Sequence, residues 1–97
     1  MKLRKNIYIL GKDVDVEWKR DTGNYGTWSE AMLKIEMEEG QPVDMAESTM
    51  LHEILEALKD LLKLQFSHDD LARLENGLYA VLSDAGVDLS PLIKEKA

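Results

Sequence analysis

Two periodicities divide the chain. From residue 6 to residue 38 apolar and polar residues tend to alternate, and from 44 to 85 apolar residues return every three or four positions. The first pattern is that of a strand with one buried face, the second that of a helix with one buried stripe. Asn6-Ile7-Tyr8-Ile9-Leu10 and Asp13-Val14-Asp15-Val16-Glu17-Trp18 read as a β-hairpin. A two-residue Gly11-Lys12 loop of the type II′ kind would pair Ile9 with Val14 and Ile7 with Val16. All four then share one face, and Asp13, Asp15 and Glu17 take the other. Lys19 to Gly26 is a loop with turn signals at Asp21-Thr22-Gly23-Asn24, and Tyr25 to Trp28 reads as a short strand. Met32 to Glu38 alternates again, with Leu33, Ile35 and Met37 on one side. The expectation is a three- or four-stranded, mostly antiparallel sheet over about residues 6–38, buried on one face.

Gly40-Gln41-Pro42 breaks the alternation. Asp44, followed three residues later by Glu47, has the spacing of a capping box, so a helix is expected over about 44–66. Its apolar stripe is Met50, Leu51, Ile54, Leu55, Leu58, Leu61 and Leu62, running down to Phe66. Ser67 caps a second helix over about 68–85, where Asp69 and Asp70 in the first turn complement the helix dipole. Leu71, Leu74, Leu78, Val81, Leu82 and Ala85 are expected to be its core stripe. A second stripe runs beside it at helical spacing: His68, Ala72, Glu75 and Tyr79. Gly86 ends the helix, and Ser90-Pro91 opens a short one over about 90–96 whose end, Lys94 to Ala97, is expected to fray. Met37 and Met50 are assigned to the core rather than to a binding surface. The class is therefore α+β, a single domain over residues 1–97.

Composition narrows the functions. There is no cysteine, which removes disulfides, thiolate metal sites and thiol nucleophiles, and fits a cytoplasmic protein. A net charge of −7 argues against direct nucleic-acid binding. The basic start, Met1 to Lys5, meets Gly11 too soon for a signal segment, and no run reaches transmembrane length, so no membrane role is expected. No phosphate loop or dinucleotide-binding glycine pattern occurs.

The chemistry is concentrated in Leu51-His52-Glu53-Ile54-Leu55-Glu56. In His-Glu-x-x-His the two histidines, four apart, share a helix face and grip one zinc ion, and the intervening Glu is the general base. Here His52 and Glu56 hold the ligand spacing and Glu53 the base position, but Glu56 stands where the second His belongs. A carboxylate can ligate zinc, and a His/Glu pair leans toward harder ions such as Mn or Fe. Lys59 and Lys63 continue the same polar stripe, so a solvated face on which Glu56 pairs with His52 or Lys59 explains the residues without a metal, and His-Glu-x-x-Glu by itself is a weak signal. Because His52 and Glu56 lie off the apolar stripe, a site there requires a second element to cover them.

The element order, with Ser48-Thr49-Met50-Leu51-His52-Glu53-Ile54-Leu55 and Leu74-Glu75-Asn76-Gly77-Leu78-Tyr79-Ala80-Val81-Leu82, resembles the minigluzincins, minimal HExxH zinc peptidases often of phage or prophage type. The resemblance implies a small sheet packed on two long helices, and a zinc held by two His of the first helix and one Glu of the second. His52 matches the first ligand, Glu53 the base, and Glu56 replaces the second ligand. The third position aligns with Ala72, which cannot ligate; His68 and Glu75 flank it by one turn, Glu75 being preferred. Two altered ligand positions favour a non-catalytic minigluzincin-like protein of the host cytosol that binds a protein partner of basic character and carries no cofactor. The alternative is a metallopeptidase with His52, Glu56 and Glu75 or His68 around Zn or another divalent metal and Glu53 as base.

Overall fold

The computed structural model describes residues 2–95. It is an α+β fold of four strands and two helices: β1 Asn6–Ile9, β2 Lys12–Lys19, β3 Gly26–Ser29, β4 Lys34–Glu38, α1 Val43–Leu61 and α2 His68–Asp84, followed by a 3-10 turn at Ser90–Leu92. The strands form one sheet in the order β1-β2-β4-β3. Two of its three pairings are antiparallel, and the central one, β2 with β4, is parallel. The chain leaves β2, runs out to the edge as β3, and turns back to place β4 between them.

The first hairpin forms, with a different turn. Leu10 and Gly11 are its two loop residues, at φ 52° and 77°. Positive φ at both central positions marks the type I′ turn, whose twist matches that of the flanking strands. Ile9 therefore pairs with Lys12 and Ile7 with Val14, two residues away from the expected register. A shift of two leaves every side chain on its face, whereas a shift of one would have inverted the hairpin. Ile7, Ile9, Val14, Val16, Ile35 and Met37 are accordingly all buried on one face. Leu33 is not a strand residue: it turns the chain into β4 at φ 47°.

That face packs on α1, through Ala46, Met50 and Ala57, with Ile54, Leu58 and Leu61 at the margin. Trp28 Nε1–H donates to Asp60 Oδ2 at 2.9 Å, tying the edge strand to the end of the helix. α1 differs from expectation at both ends. Its N-cap is Pro42, and Asp44 lies in the first turn, accepting a bond from the Met45 N–H instead of capping. Its C-terminus is Leu61 rather than Phe66, because Lys63 adopts φ 58° and the Leu64 N–H closes on the Lys59 carbonyl. Leu62, Leu64 and Phe66 consequently leave the apolar stripe and are exposed.

α2 packs on α1 and on no described strand. Ser67 caps it as expected, its Oγ accepting the Asp70 N–H at 3.0 Å. Its inward face keeps only part of the expected stripe, Leu71 with the half-buried Leu78 and Leu82. Leu71 and Glu75 are its buried residues, while Leu74 is 48% and Val81 65% exposed and Ala85 also faces solvent. The helix is rotated toward the His68-Ala72-Glu75-Tyr79 stripe. That rotation lays α2 across the polar side of α1 and covers His52 and Glu56.

Over its described residues the C-terminal segment is not the expected helix, and Lys94 and Glu95 are tied to the start of the chain. After the 3-10 turn Ile93 is fully buried and Lys94 bridges Leu3 antiparallel; Arg4 N–H donates to the Ile93 carbonyl and Glu95 N–H to that of Lys2. Lys96 and Ala97 lie outside the described residues.

Candidate metal centre

The site is built by two helices meeting at their polar faces, with the end of β3 as a third wall. α1 supplies His52, Glu53 and Glu56 within little more than one turn. α2 supplies His68 from its first turn and Glu75 two turns on. A cleft of about 840 Å³ opens there, lined by Met45, His52 and Glu53 of α1, by His68 and Glu75 of α2, and by Tyr25 and Gly26 at the start of β3.

Three donor atoms converge at one end. His68 Nδ1 lies 3.2 Å and His52 Nε2 3.6 Å from Glu56 Oε1. One ligand atom from each of His52, Glu56 and His68 falls within 4.8 Å of the others. The two imidazoles stand edge to face, their centroids 5.2 Å apart. Ligands about 2.0–2.1 Å from a tetrahedral ion are roughly 3.3 Å from one another, close to the two separations from Glu56. Two imidazoles and a carboxylate are also the donor set of many catalytic zinc sites, and of two-His-one-carboxylate iron sites. With a proton on Nδ1, His68 donates to Glu56 at 3.2 Å; with lone pairs on both nitrogens, the three atoms form a donor set for a cation. The His52 and Glu56 side chains are 16% and 19% exposed, that of His68 is 76% exposed, so the group is closed on the helix side and open on one.

Glu75 does not join this group. Its Oε1 is 4.0 Å from His52 Nδ1, the other edge of the ring, and its Oε2 accepts the Ser48 Oγ–H at 2.9 Å. His68, which the sequence places beside Glu75 as the less favoured substitute, is the α2 residue that reaches Glu56. The signal for it was present: His68 heads the stripe that α2 turns inward.

Glu53 is buried, only 6% of it being exposed. Desolvation, and then the charge of Glu56, push its pKa up to about 7, against a smaller lowering by His68. It packs against backbone: a Cβ at Gly26 would stand 3.2 Å from Glu53 Cγ and 2.7 Å from Thr49 Cγ2. Gly26 thus lets β3 approach α1 closely enough to wall the carboxyl in, a requirement the sequence pattern does not reveal. Farther along the cleft Tyr79 OH donates to Glu47 Oε1 at 3.2 Å; burial, and then the Glu47 charge, hold the phenol above its ordinary pKa. Glu47 thereby serves the α1–α2 contact rather than a capping box.

No protein family, curated protein or solved structure matches the chain. Among the described residues no helix is long and apolar enough to cross a membrane.

Proposed function

We propose that this protein is a divalent-metal-dependent hydrolase of the minigluzincin kind, acting on peptides held in the cleft. The observation that carries the reading is the convergence of His52 Nε2, Glu56 Oε1 and His68 Nδ1 beside a buried carboxyl, Glu53. Against the pattern of the resembled family, the residue types are exchanged between helices. A Glu stands at the second position of α1, and the His comes from α2. The sum, two imidazoles and one carboxylate, is unchanged. This favours the metallopeptidase reading over a scaffold whose chemistry has been lost.

His52, Glu56 and His68 would hold the ion, which supplies Lewis acidity toward a carbonyl and makes water nucleophilic near neutral pH. The chain's own groups supply the rest. Glu53, buried in the cleft wall next to His52 in sequence, would accept a proton from water and pass it to a leaving amine. Gly26 and Thr49 restrict where its carboxyl can sit. Tyr25 and Met45 give the cleft apolar surface for substrate side chains.

Elemental analysis tests this directly, on tag-free protein exposed to Zn, Mn or Fe(II) and then desalted. About one ion per chain is expected, lost in His52→Ala and in His68→Ala. Glu53→Gln should keep the ion and lose hydrolysis of a peptide library by about 10²–10⁴-fold. Wild-type protein that retains no ion overturns the reading.

A separate observation favours a second reading, in which the fold binds a protein partner without chemistry. α2 leaves Leu74 and Val81 on its solvent flank, apolar surface that the core does not use. With a net charge of −7, a partner of basic character would suit the surroundings of that flank. A partner complex that survives His52→Ala, Glu53→Ala and metal removal, but not Val81→Glu, is the expected outcome there.

A further inference from the structure

His52 is faced by two carboxylates, one at each ring nitrogen. Glu56 approaches Nε2 at 3.6 Å, and Glu75 approaches Nδ1 at 4.0 Å. Glu75 and Glu53 are the buried charged residues of the described chain. A buried carboxylate is costly unless its oxygens find partners. Ser48 Oγ–H satisfies Oε2 at 2.9 Å, and the edge of His52 is what Oε1 faces. Ser48 sits one turn before His52 on α1, so its bond fixes Glu75 against the same helix face that carries the ring.

An imidazole donates from one nitrogen and accepts at the other, and the partner of one nitrogen decides the state of its opposite. Glu56 Oε1 is engaged by His68 Nδ1 at 3.2 Å and so competes less for a proton on Nε2, and the carboxylate behind Nδ1 favours the tautomer with the proton there. The Nε2 lone pair then points toward Glu56 and His68. At 4.0 Å the contact is an ion-pair distance, longer than a hydrogen bond, as catalytic contacts often are before a site is loaded.

We infer that Glu75, anchored by Ser48, is the positioning residue for His52: it holds the Nδ1–H and so presents Nε2 as an electron-pair donor. The inference rests on the metal-site reading above and assigns Glu75 a place behind the ligand rather than among the ligands. His68 differs, since among the described residues its one ion-pair partner is Glu56, at Nδ1. The site therefore has one ligand held from behind and one exposed ligand on a helix end.

The test compares wild type, Glu75→Gln and Ser48→Ala, each checked for fold by circular dichroism. Long-range ¹H–¹⁵N NMR of the imidazoles in metal-free protein at pH 8 reads the tautomer, and a zinc competition titration reads affinity. Wild-type His52 is expected as the Nδ1–H form. Glu75→Gln should mix the tautomers and weaken zinc binding about 10–100-fold while one ion still binds per chain. Ser48→Ala should move both readouts the same way by less, and it tests the inference if the Gln variant fails to fold. Unchanged affinity and tautomer in both variants overturn the inference. So does complete loss of the ion in Glu75→Gln, which would make Glu75 a ligand. If wild type binds no ion, the metal-site reading falls, and the NMR arm decides Glu75 by itself: an Nδ1–H form that depends on Glu75 sustains its role, and any other result ends it.

Discussion

Glu53 follows His52 by one residue, and its carboxyl is pressed between α1 and the backbone at Gly26. Burial makes the charged form expensive, so the folded chain holds a proton there up to about pH 7, where an exposed carboxyl would lose it near 4.5. The sign follows by linkage. Between those two values the folded state binds the proton that the unfolded state has released, so stability falls as pH rises through the window and then levels off. For metal-free protein, Glu53→Gln should therefore be more stable than wild type at pH 8, by about 2–3 kcal/mol, with the difference shrinking toward zero at pH 4. Urea denaturation at the two pH values measures it, and a difference that does not change with pH would contradict the buried-carboxyl account. Leu10 carries the opposite lesson at this scale. Nothing in the alternation marks it as a turn residue, yet it takes φ 52° so that Gly11 can complete the I′ turn.

Among the elements, α2 is where the pattern was least decisive. Leu71 and Leu74 belong to one apolar stripe, and the mixed His68-Ala72-Glu75-Tyr79 stripe lies on the adjacent flank of the same helix. What selects between them is the partner surface, and α1 offers α2 a polar one around Ser48, His52 and Glu56. The helix turns Glu75 inward to meet it and sets the largely exposed His68 beside Glu56, and Leu74 and Val81 are left outside. Leu71→Ala should therefore cost about 2–4 kcal/mol by chemical denaturation, as core truncations do, and Leu74→Ala less than about 1 kcal/mol. Equal costs would mean that α2 sits rotated from the orientation described here. The β-hairpin shows the reverse case: its register moved by two residues, but the buried face was fixed by alternation and survived the change.

At the scale of the whole molecule, the two ends of the described chain close on each other. The Leu3–Lys94 bridge and the bonds of Arg4 and Lys2 to the last turn place Ile93 against the sheet and α1. Ile93→Ala should destabilise by about 2–4 kcal/mol although it lies just beyond a three-residue turn, and thermal or urea unfolding reads it. A fraying tail would show no effect.

Local chemistry determined much by itself. Alternation placed Ile7, Ile9, Val14, Val16, Ile35 and Met37 on one face, helical spacing placed Met50, Ile54 and Leu58 on another, and Ser67 and Gly86 bounded α2, because each depends on residues close in sequence. The i, i+4 relation of His52 to Glu56, with Glu53 between, was legible for the same reason. The parallel pairing of β2 with β4, the approach of Gly26 to Glu53, the inward face of α2 and the arrival of His68 rather than Glu75 at Glu56 were decided only by tertiary packing. Each joins residues that no local pattern links, and each is settled by which surfaces remain to be covered once the helices and the sheet have formed.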